Sequence, residues 1–101
     1  ASNNIPEGFS LSQNYPNPFN PTTSIGFRIL DFGFVSVKVF DITGREVAVL
    51  ADNMFHRGRY SVNFDASGIA SGVYLYKLLA IDFSAGSEVA FTDTKKLIVV
   101  K

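Results

Sequence analysis

Cysteine is absent from the 101 residues, which also contain no tryptophan and a single histidine, His56. Without cysteine, no disulfide, thiolate nucleophile or thiolate metal site can form. One histidine excludes a two-histidine metal site and a catalytic histidine pair within the chain. His56 lies in a predicted loop, where a surface position is the favoured interpretation. The composition therefore favours a function other than catalysis.

Excess charge of either sign is also absent, because 9 Lys and Arg balance 9 Asp and Glu. Non-specific nucleic-acid binding and electrostatic membrane attachment both need a basic excess. No apolar run approaches the ~18 residues of a membrane-spanning helix, and no signal peptide or metal or cofactor motif is visible. Because 47% of the residues are hydrophobic, the chain is expected to fold as one domain rather than remain disordered.

Proline is absent after Pro21, and this divides the chain into two parts. All four prolines and a cluster of asparagines lie in residues 1–23, where proline biases the backbone towards extended conformations. We predict that residues 1–23 are a linker and irregular lead-in, with a short edge strand around Phe9 and Leu11. Residues 24–101 are predicted to form a β-sandwich domain.

From Ser24 onward, apolar and polar residues alternate with the period of a half-buried β-strand. The alternation is clearest at 25–29, 35–39 and 60–64, and apolar runs at 47–50, 73–81, 89–91 and 97–100 are further candidates. Turn residues recur between these runs, at 31–33, 41–45, 53–58, 65–72 and 84–87. This spacing predicts an all-β fold, an immunoglobulin-like antiparallel β-sandwich of about seven strands.

Two tyrosines in the run Gly72-Val73-Tyr74-Leu75-Tyr76 support the immunoglobulin-like version. In such sandwiches, a tyrosine near the start of a late strand closes a corner by bonding to upstream backbone. Tyr74 is the candidate, with residues 65–71 as the corner. The alternative is that both tyrosines simply pack in the core.

Polar residues at the predicted turns have structural interpretations. Asp41 and Asp65 each follow a predicted strand and are expected to accept a hydrogen bond from the N–H group two residues on. Gly44 permits the positive φ of a hairpin turn. Arg45 is either a ligand contact or, as favoured here, part of an exposed charged pair. Core or rim packing is likewise favoured over a partner-binding patch for five phenylalanines: Phe32, Phe34, Phe55, Phe83 and Phe91.

The last seven residues are apolar on both faces between basic ends: Lys95, Lys96, Leu97, Ile98, Val99, Val100 and Lys101. A strand exposed on one side would alternate. One interpretation is a strand covered on both sides by its own sandwich and lead-in. The other is a terminal strand that a partner recognises through its free edge.

The block Tyr15-Pro16-Asn17-Pro18-Phe19-Asn20-Pro21, followed by two threonines, resembles the type A C-terminal sorting domains of the type IX (Por) secretion system. The resemblance continues through Asp41-Ile42-Thr43-Gly44-Arg45 and Gly72–Tyr76 to the Lys95-Lys96-Leu97 run. The Asp-x-x-Gly-Arg and Gly-Val-Tyr blocks are also similar to immunoglobulin-like domains of flagellar hook-capping proteins.

The resemblance implies a sorting signal that carries an N-terminally attached cargo protein across the outer membrane of Bacteroidetes-type bacteria. The product would pass through the periplasm and be secreted or held at the outer-membrane surface. The implied partners are the type IX machinery and a surface peptidase that removes the domain, and no cofactor is implied. The Lys-Lys-Leu strand is the expected recognition signal. A structural spacer and a carbohydrate- or adhesion-binding module remain alternatives.

Overall fold

The computed structural model describes residues 9–82 and 89–101. In these ranges no helix is long and apolar enough to cross a membrane. Seven β-strands are present: β1 (Ser10–Leu11), β2 (Thr22–Ile29), β3 (Gly33–Phe40), β4 (Glu46–Phe55), β5 (Gly58–Asp65), β6 (Gly72–Asp82) and β7 (Val89–Val99).

The strands form two sheets, one with the order β1-β2-β5 and the other with the order β4-β3-β6-β7, and all pairs between strands are antiparallel. In the immunoglobulin nomenclature, β1, β2 and β5 correspond to strands A, B and E. The facing strands β4, β3, β6 and β7 correspond to C′, C, F and G. The predicted all-β, immunoglobulin-like sandwich of seven strands is confirmed.

The core lies between the sheets, where each strand buries alternate residues. Val35, Val37 and Val39 of β3 are fully buried, whereas Lys38 between them is half-exposed. Burying each such side chain contributes roughly 1.5–3 kcal/mol. Ile25, Phe27 and Ile29 of β2 provide the facing layer, as their alternation predicted.

β7 is longer than the apolar pattern predicts. The runs at 89–91 and 97–100 were expected as separate strands, but β7 continues between them because every residue from Val89 to Val99 pairs with β6. The intervening residues are polar, and Asp93 forms an ion pair with Lys95 at 3.8 Å. A polar segment gives no period-two signal, so the sequence did not show this continuity.

β4 likewise extends into the predicted turn at 53–58. Its last residue, Phe55, packs edge-on against Phe27 with the ring centroids 5.5 Å apart. This contact with the core holds the strand to its end, and the connection to β5 shortens to His56 and Arg57.

Tyr74 closes the predicted corner, since its hydroxyl donates to the carbonyl oxygen of Ala70 at 2.8 Å.

Two glycines are required by the backbone. Gly44 has φ +91° in the β3–β4 turn, and a side chain at Gly33 would collide with the carbonyl oxygen of Ile81 on β6.

Two of the five phenylalanines singled out in the sequence, Phe91 and Phe55, lie in the core or pack against it. Phe91 is buried and stacks on Phe9 at 5.8 Å, and Phe34 and Phe55 are half-buried. Phe32 is 41% exposed and lies 4.9 Å from the ring of His56, which is itself exposed as predicted. Phe83 lies outside the described residues.

Candidate recognition site at the final strand

The residues singled out by the resemblance gather at one end of the sandwich. β2 begins at this end, β3 and β7 finish there, and β6 begins there at Gly72, which pairs with Val99. The lead-in segment 13–21, the Asp41–Arg45 turn and Lys101 therefore surround the end of the final strand. The Phe32–His56 contact lies at the opposite end.

The lead-in binds the outer edge of β7. Phe19 forms a parallel bridge with Val99, in which its N–H donates to the carbonyl oxygen of Ile98 and its carbonyl oxygen accepts from the N–H of Val100, both at 3.0 Å. The phenyl ring of Phe19 is buried and meets Phe64 edge-on at 6.0 Å. Phe19 therefore joins the final strand to the smaller sheet.

Two amide side chains continue this edge contact. The side-chain oxygen of Asn17 accepts from the N–H of Ile98 at 2.9 Å. Nε2 of Gln13 donates to the carbonyl oxygen of Lys96 at 2.7 Å. From the carbonyl oxygen of Lys96 to the N–H of Val100, the outward backbone groups are thus bonded by the chain itself, which leaves side chains as the exposed feature of this stretch.

A buried polar network holds the start of the lead-in in place. Asn14 is 2% exposed. Its Nδ2 group donates to the carbonyl oxygen of Pro16 at 3.1 Å and to Oγ1 of Thr23 at 3.0 Å, and that hydroxyl donates to the same Pro16 carbonyl at 2.8 Å. The peptide bonds that precede Pro16, Pro18 and Pro21 are cis.

The remaining residues of the proline block lie at the surface or contact the smaller sheet. Tyr15 exchanges two backbone hydrogen bonds of 3.0 Å with Ser24, while its side chain is 81% exposed. The carbonyl oxygen of Pro21 accepts from the N–H of Ala66 at 2.8 Å. Pro18 and Asn20 are exposed. The block is therefore a fixed part of the sandwich surface.

The seven terminal residues divide into buried and exposed side chains. Leu97 and Val99 are in the core, and Lys95 and Ile98 are half-buried. Lys96, Val100 and Lys101 are exposed, with Val100 at 49%. The exposed side chains of this segment are thus two lysines and one valine.

Lys101 is tied to the corner that precedes β6. Its N–H donates to Oγ of Ser71 at 3.0 Å, and its Nζ donates to the carbonyl oxygen of Ser67 at 2.8 Å. The same corner contains Asp65, whose side chain accepts from the N–H of Ser67 at 2.9 Å. The hydrogen bonds from the hydroxyl and the N–H of Ser67 lower the pKa of Asp65, and the hydroxyl has the larger effect.

The β3–β4 turn is organised by Asp41. One of its carboxylate oxygens accepts from the N–H and hydroxyl of Thr43, at 2.9 and 2.6 Å, and from the N–H of Arg45 at 3.0 Å. The Thr43 hydroxyl, followed by the Arg45 N–H, lowers the pKa of Asp41 to about 2. Arg45 also forms an exposed ion pair with Asp41 at 3.2 Å. The prediction of a turn-capping aspartate is confirmed, whereas the charged pair differs from the one expected at the hairpin tip: Arg45 pairs with Asp41, and its neighbour Glu46 pairs with Lys38 at 3.4 Å.

No local sequence pattern gives Gln13 or Asn14 a role. Both provide the bonds that fix the lead-in. The signal available was the pairing of amide side chains with prolines, because an amide can satisfy backbone groups that an irregular chain leaves free. The Lys96 partner of the Gln13 side chain lies 83 residues away, a distance that no local pattern conveys, whereas the Asn14 side chain bonds to Pro16 and Thr23 within nine residues.

Among residues 9–82 and 89–101, no three His, Cys, Asp or Glu side chains lie close enough to hold a metal ion. This end of the sandwich instead presents two exposed lysines, Lys96 and Lys101, beside a strand edge that the lead-in occupies.

Comparison with known proteins agrees with the sequence resemblance. A family model described as a secretion system C-terminal sorting domain matches residues 13–100. None of the curated proteins matches the chain.

Two solved structures are similar. The chain is 25% identical to part of dimeric latent PorU from Porphyromonas gingivalis, with a TM-score of 0.65 over 87% of this chain and 9% of PorU. It therefore corresponds to a small part of that protein. CopC from Methylosinus trichosporium OB3b has a TM-score of 0.54 and 14% identity, over 90% of this chain and 92% of CopC. At that identity the likeness concerns the fold alone.

Proposed function

The chain belongs to the family of secretion system C-terminal sorting domains, and we propose that the type IX secretion machinery recognises it as a folded domain, at the end of the sandwich where the lead-in bonds to β7. It is the sorting signal for type IX secretion, and it marks a secreted or cell-surface protein. The proposal concerns where on the domain that signal lies.

The observation that carries the proposal is the double role of the final strand. Leu97 and Val99 are core residues, whereas Lys96, Val100 and Lys101 are exposed beside them. Because the edge of residues 96–100 is bonded to the lead-in, a partner would contact the side chains rather than add a strand. The two lysines favour a partner surface that bears carboxylates.

A sorting domain is not itself catalytic, and we propose that any enzymatic activity belongs to a cargo protein attached before residue 1. We also propose the route of the exported protein: it passes through the periplasm and crosses the outer membrane, and a surface peptidase then removes the domain. The closed lead-in supports this route in one respect, since its bonds to β7 and to the smaller sheet make it part of the folded domain.

The test is export of a reporter fused to residues 1–101 in a type IX-competent host. The double change Lys96→Glu and Val100→Asp alters only exposed side chains, so stability should change by less than about 1 kcal/mol. We expect the reporter to be retained in the cell, as measured by fractionation, while the purified domain keeps its melting temperature.

The matched control is Met54→Asp with Arg57→Glu, which makes the same charge change at exposed positions at the opposite end of the sandwich. Export of the control at the level of the unaltered domain, with loss in the test variant, supports the proposal. Equal export of both variants overturns it and favours a signal elsewhere on the domain. Deleting 97–101 would be less informative, because it also removes core residues. If an attached cargo protein works normally and does not need export, the structural-spacer alternative is favoured. Binding of the domain to glycans would favour the carbohydrate- or adhesion-binding alternative.

A further inference from the structure

A polar groove of about 220 Å³ lies on the outer face of the β1-β2-β5 sheet, away from the final strand. Its floor is at Gly26 in the central strand, and its walls include two serines, Ser10 and Ser12, and two arginines, Arg28 and Arg59. Pockets for larger organic ligands usually measure ~300–1,000 Å³. This groove therefore suits a small polar group.

The two arginines lie directly opposite each other on β2 and β5. The backbone hydrogen bond between Pro21 and Ala66 lies one residue pair before the start of the β2–β5 ladder. Along an antiparallel ladder, hydrogen-bonded residue pairs alternate with non-hydrogen-bonded pairs. Arg28 and Arg59 accordingly form a non-bonded pair, the kind in which opposing side chains are closest. Like charges in this position repel and destabilise a sheet.

Neither guanidinium has an acidic partner in the described part of the chain. The ion pairs there join Lys38 to Glu46, Arg45 to Asp41 and Lys95 to Asp93. Two adjacent cations to which no described carboxylate is paired, flanked by hydroxyl donors, form a set of donors that matches the oxygens of a phosphate or sulfate group.

Gly26 provides a second observation. It occupies the middle of the central strand, where glycine costs stability because it packs no side chain. Its φ is not in the left-handed region, and an added Cβ would meet only ordinary contacts, the nearest being Oγ of Ser12 at 3.5 Å. The backbone therefore does not require glycine here. Because Gly26 has no side chain, the floor of the groove is open and a ligand can approach the main chain closely.

We propose that this groove binds a tetrahedral oxyanion, with Arg28 and Arg59 as the charged donors and Ser10 and Ser12 as neutral donors. Bound anion would relieve the repulsion between the two guanidiniums. The group is either free phosphate or a phosphate carried by a sugar, which would extend along the polar face of the sheet. This site is separate from the sorting surface and does not rest on it.

The experiment is an NMR titration of the 101-residue chain with sodium phosphate at low ionic strength, with sodium chloride at matched ionic strength as reference. We expect saturable shifts at the amides of Gly26, Arg28 and Arg59, together with a rise in melting temperature in phosphate but not in chloride. Arg28→Gln with Arg59→Gln should weaken binding by about ten-fold or more. Gly26→Ala should fold normally and also weaken binding.

Lys77→Gln is the control, since Lys77 is an exposed lysine on the other sheet and its replacement removes one positive charge elsewhere. Glucose 6-phosphate separates the two sources: tighter binding than inorganic phosphate indicates a sugar phosphate, and equal binding indicates the phosphate group alone. Shifts that do not saturate, that are the same in chloride, or that survive the double arginine change overturn the proposal.

Discussion

The backbone N–H of Asn14 donates to the phenol oxygen of Tyr76 at 2.8 Å, and the same hydroxyl donates to the carbonyl oxygen of Ser12 at 2.7 Å. Tyr76 is fully buried in β6, next to the centre of the larger sheet. One phenol therefore satisfies two backbone groups of the lead-in and joins the lead-in to the core.

Replacement of Tyr76 by phenylalanine should lower the free energy of unfolding by about 2–4 kcal/mol, because each orphaned backbone group costs about 1–3 kcal/mol. Urea denaturation measures this. Tyr15→Phe is the matched control, since that side chain is 81% exposed, and it should change stability by less than about 0.5 kcal/mol. Similar effects of the two substitutions would mean that the network contributes little.

Alkaline stability should depend on the same phenol. Burial raises the pKa of Tyr76 to about 12 from 10.0. The folded chain holds this proton more tightly than the unfolded chain, so the contribution is complete below pH 10 and is lost as the pH rises towards 12. Unfolding free energies measured across this window should fall less steeply in Tyr76→Phe than in the unaltered chain. Parallel curves would contradict the assignment.

Acid titration should distinguish Asp41. Its pKa of about 2, below the ordinary 3.8, means that its contribution to stability is present above pH 3.8 and is lost as the pH falls towards 2. Carboxyl carbon NMR would follow it directly. Thr43→Val should raise the pKa because it removes the leading hydrogen bond, whereas Thr43→Ser keeps a hydroxyl and should preserve the low value. An unchanged pKa in the valine variant would refute this account.

The clamp on the final strand should be visible in hydrogen exchange. Asn17→Ala removes the acceptor of the Ile98 N–H, a bond whose net value is about 1 kcal/mol, so exchange of that amide should accelerate by about five- to ten-fold. Asn20→Ala is the control, because Asn20 is an exposed asparagine of the same block. If the Ile98 amide exchanges at the same rate in both variants, Asn17 does not hold the edge.

Much of the fold could be predicted because its signals are local. Alternation at Ile25–Ile29 and Val35–Val39 identified the buried faces of β2 and β3. Asp41 and Tyr74 were interpretable because each acts on backbone within four residues of itself.

The parts that could not be predicted depend on distant partners. Gln13 bonds to Lys96 across 83 residues, and Arg28 meets Arg59 only through the register of β2 and β5. The middle of β7 has no apolar alternation, so its continuity rests on pairing with β6. Separation along the chain, rather than the absence of chemical signal, hid these relationships.

The parallel bridge between Phe19 and Val99 also sets an order of events during biosynthesis. Residues near 19 leave the ribosome long before those near 99, and they have no strand edge to join until the later residues are available. Closing a contact over so many residues carries a loop-entropy penalty that slows its formation. The lead-in therefore cannot bond to the final strand until the last residues of the domain are available, and a chain truncated before Ile98 leaves the N–H and carbonyl groups of Phe19 without these partners.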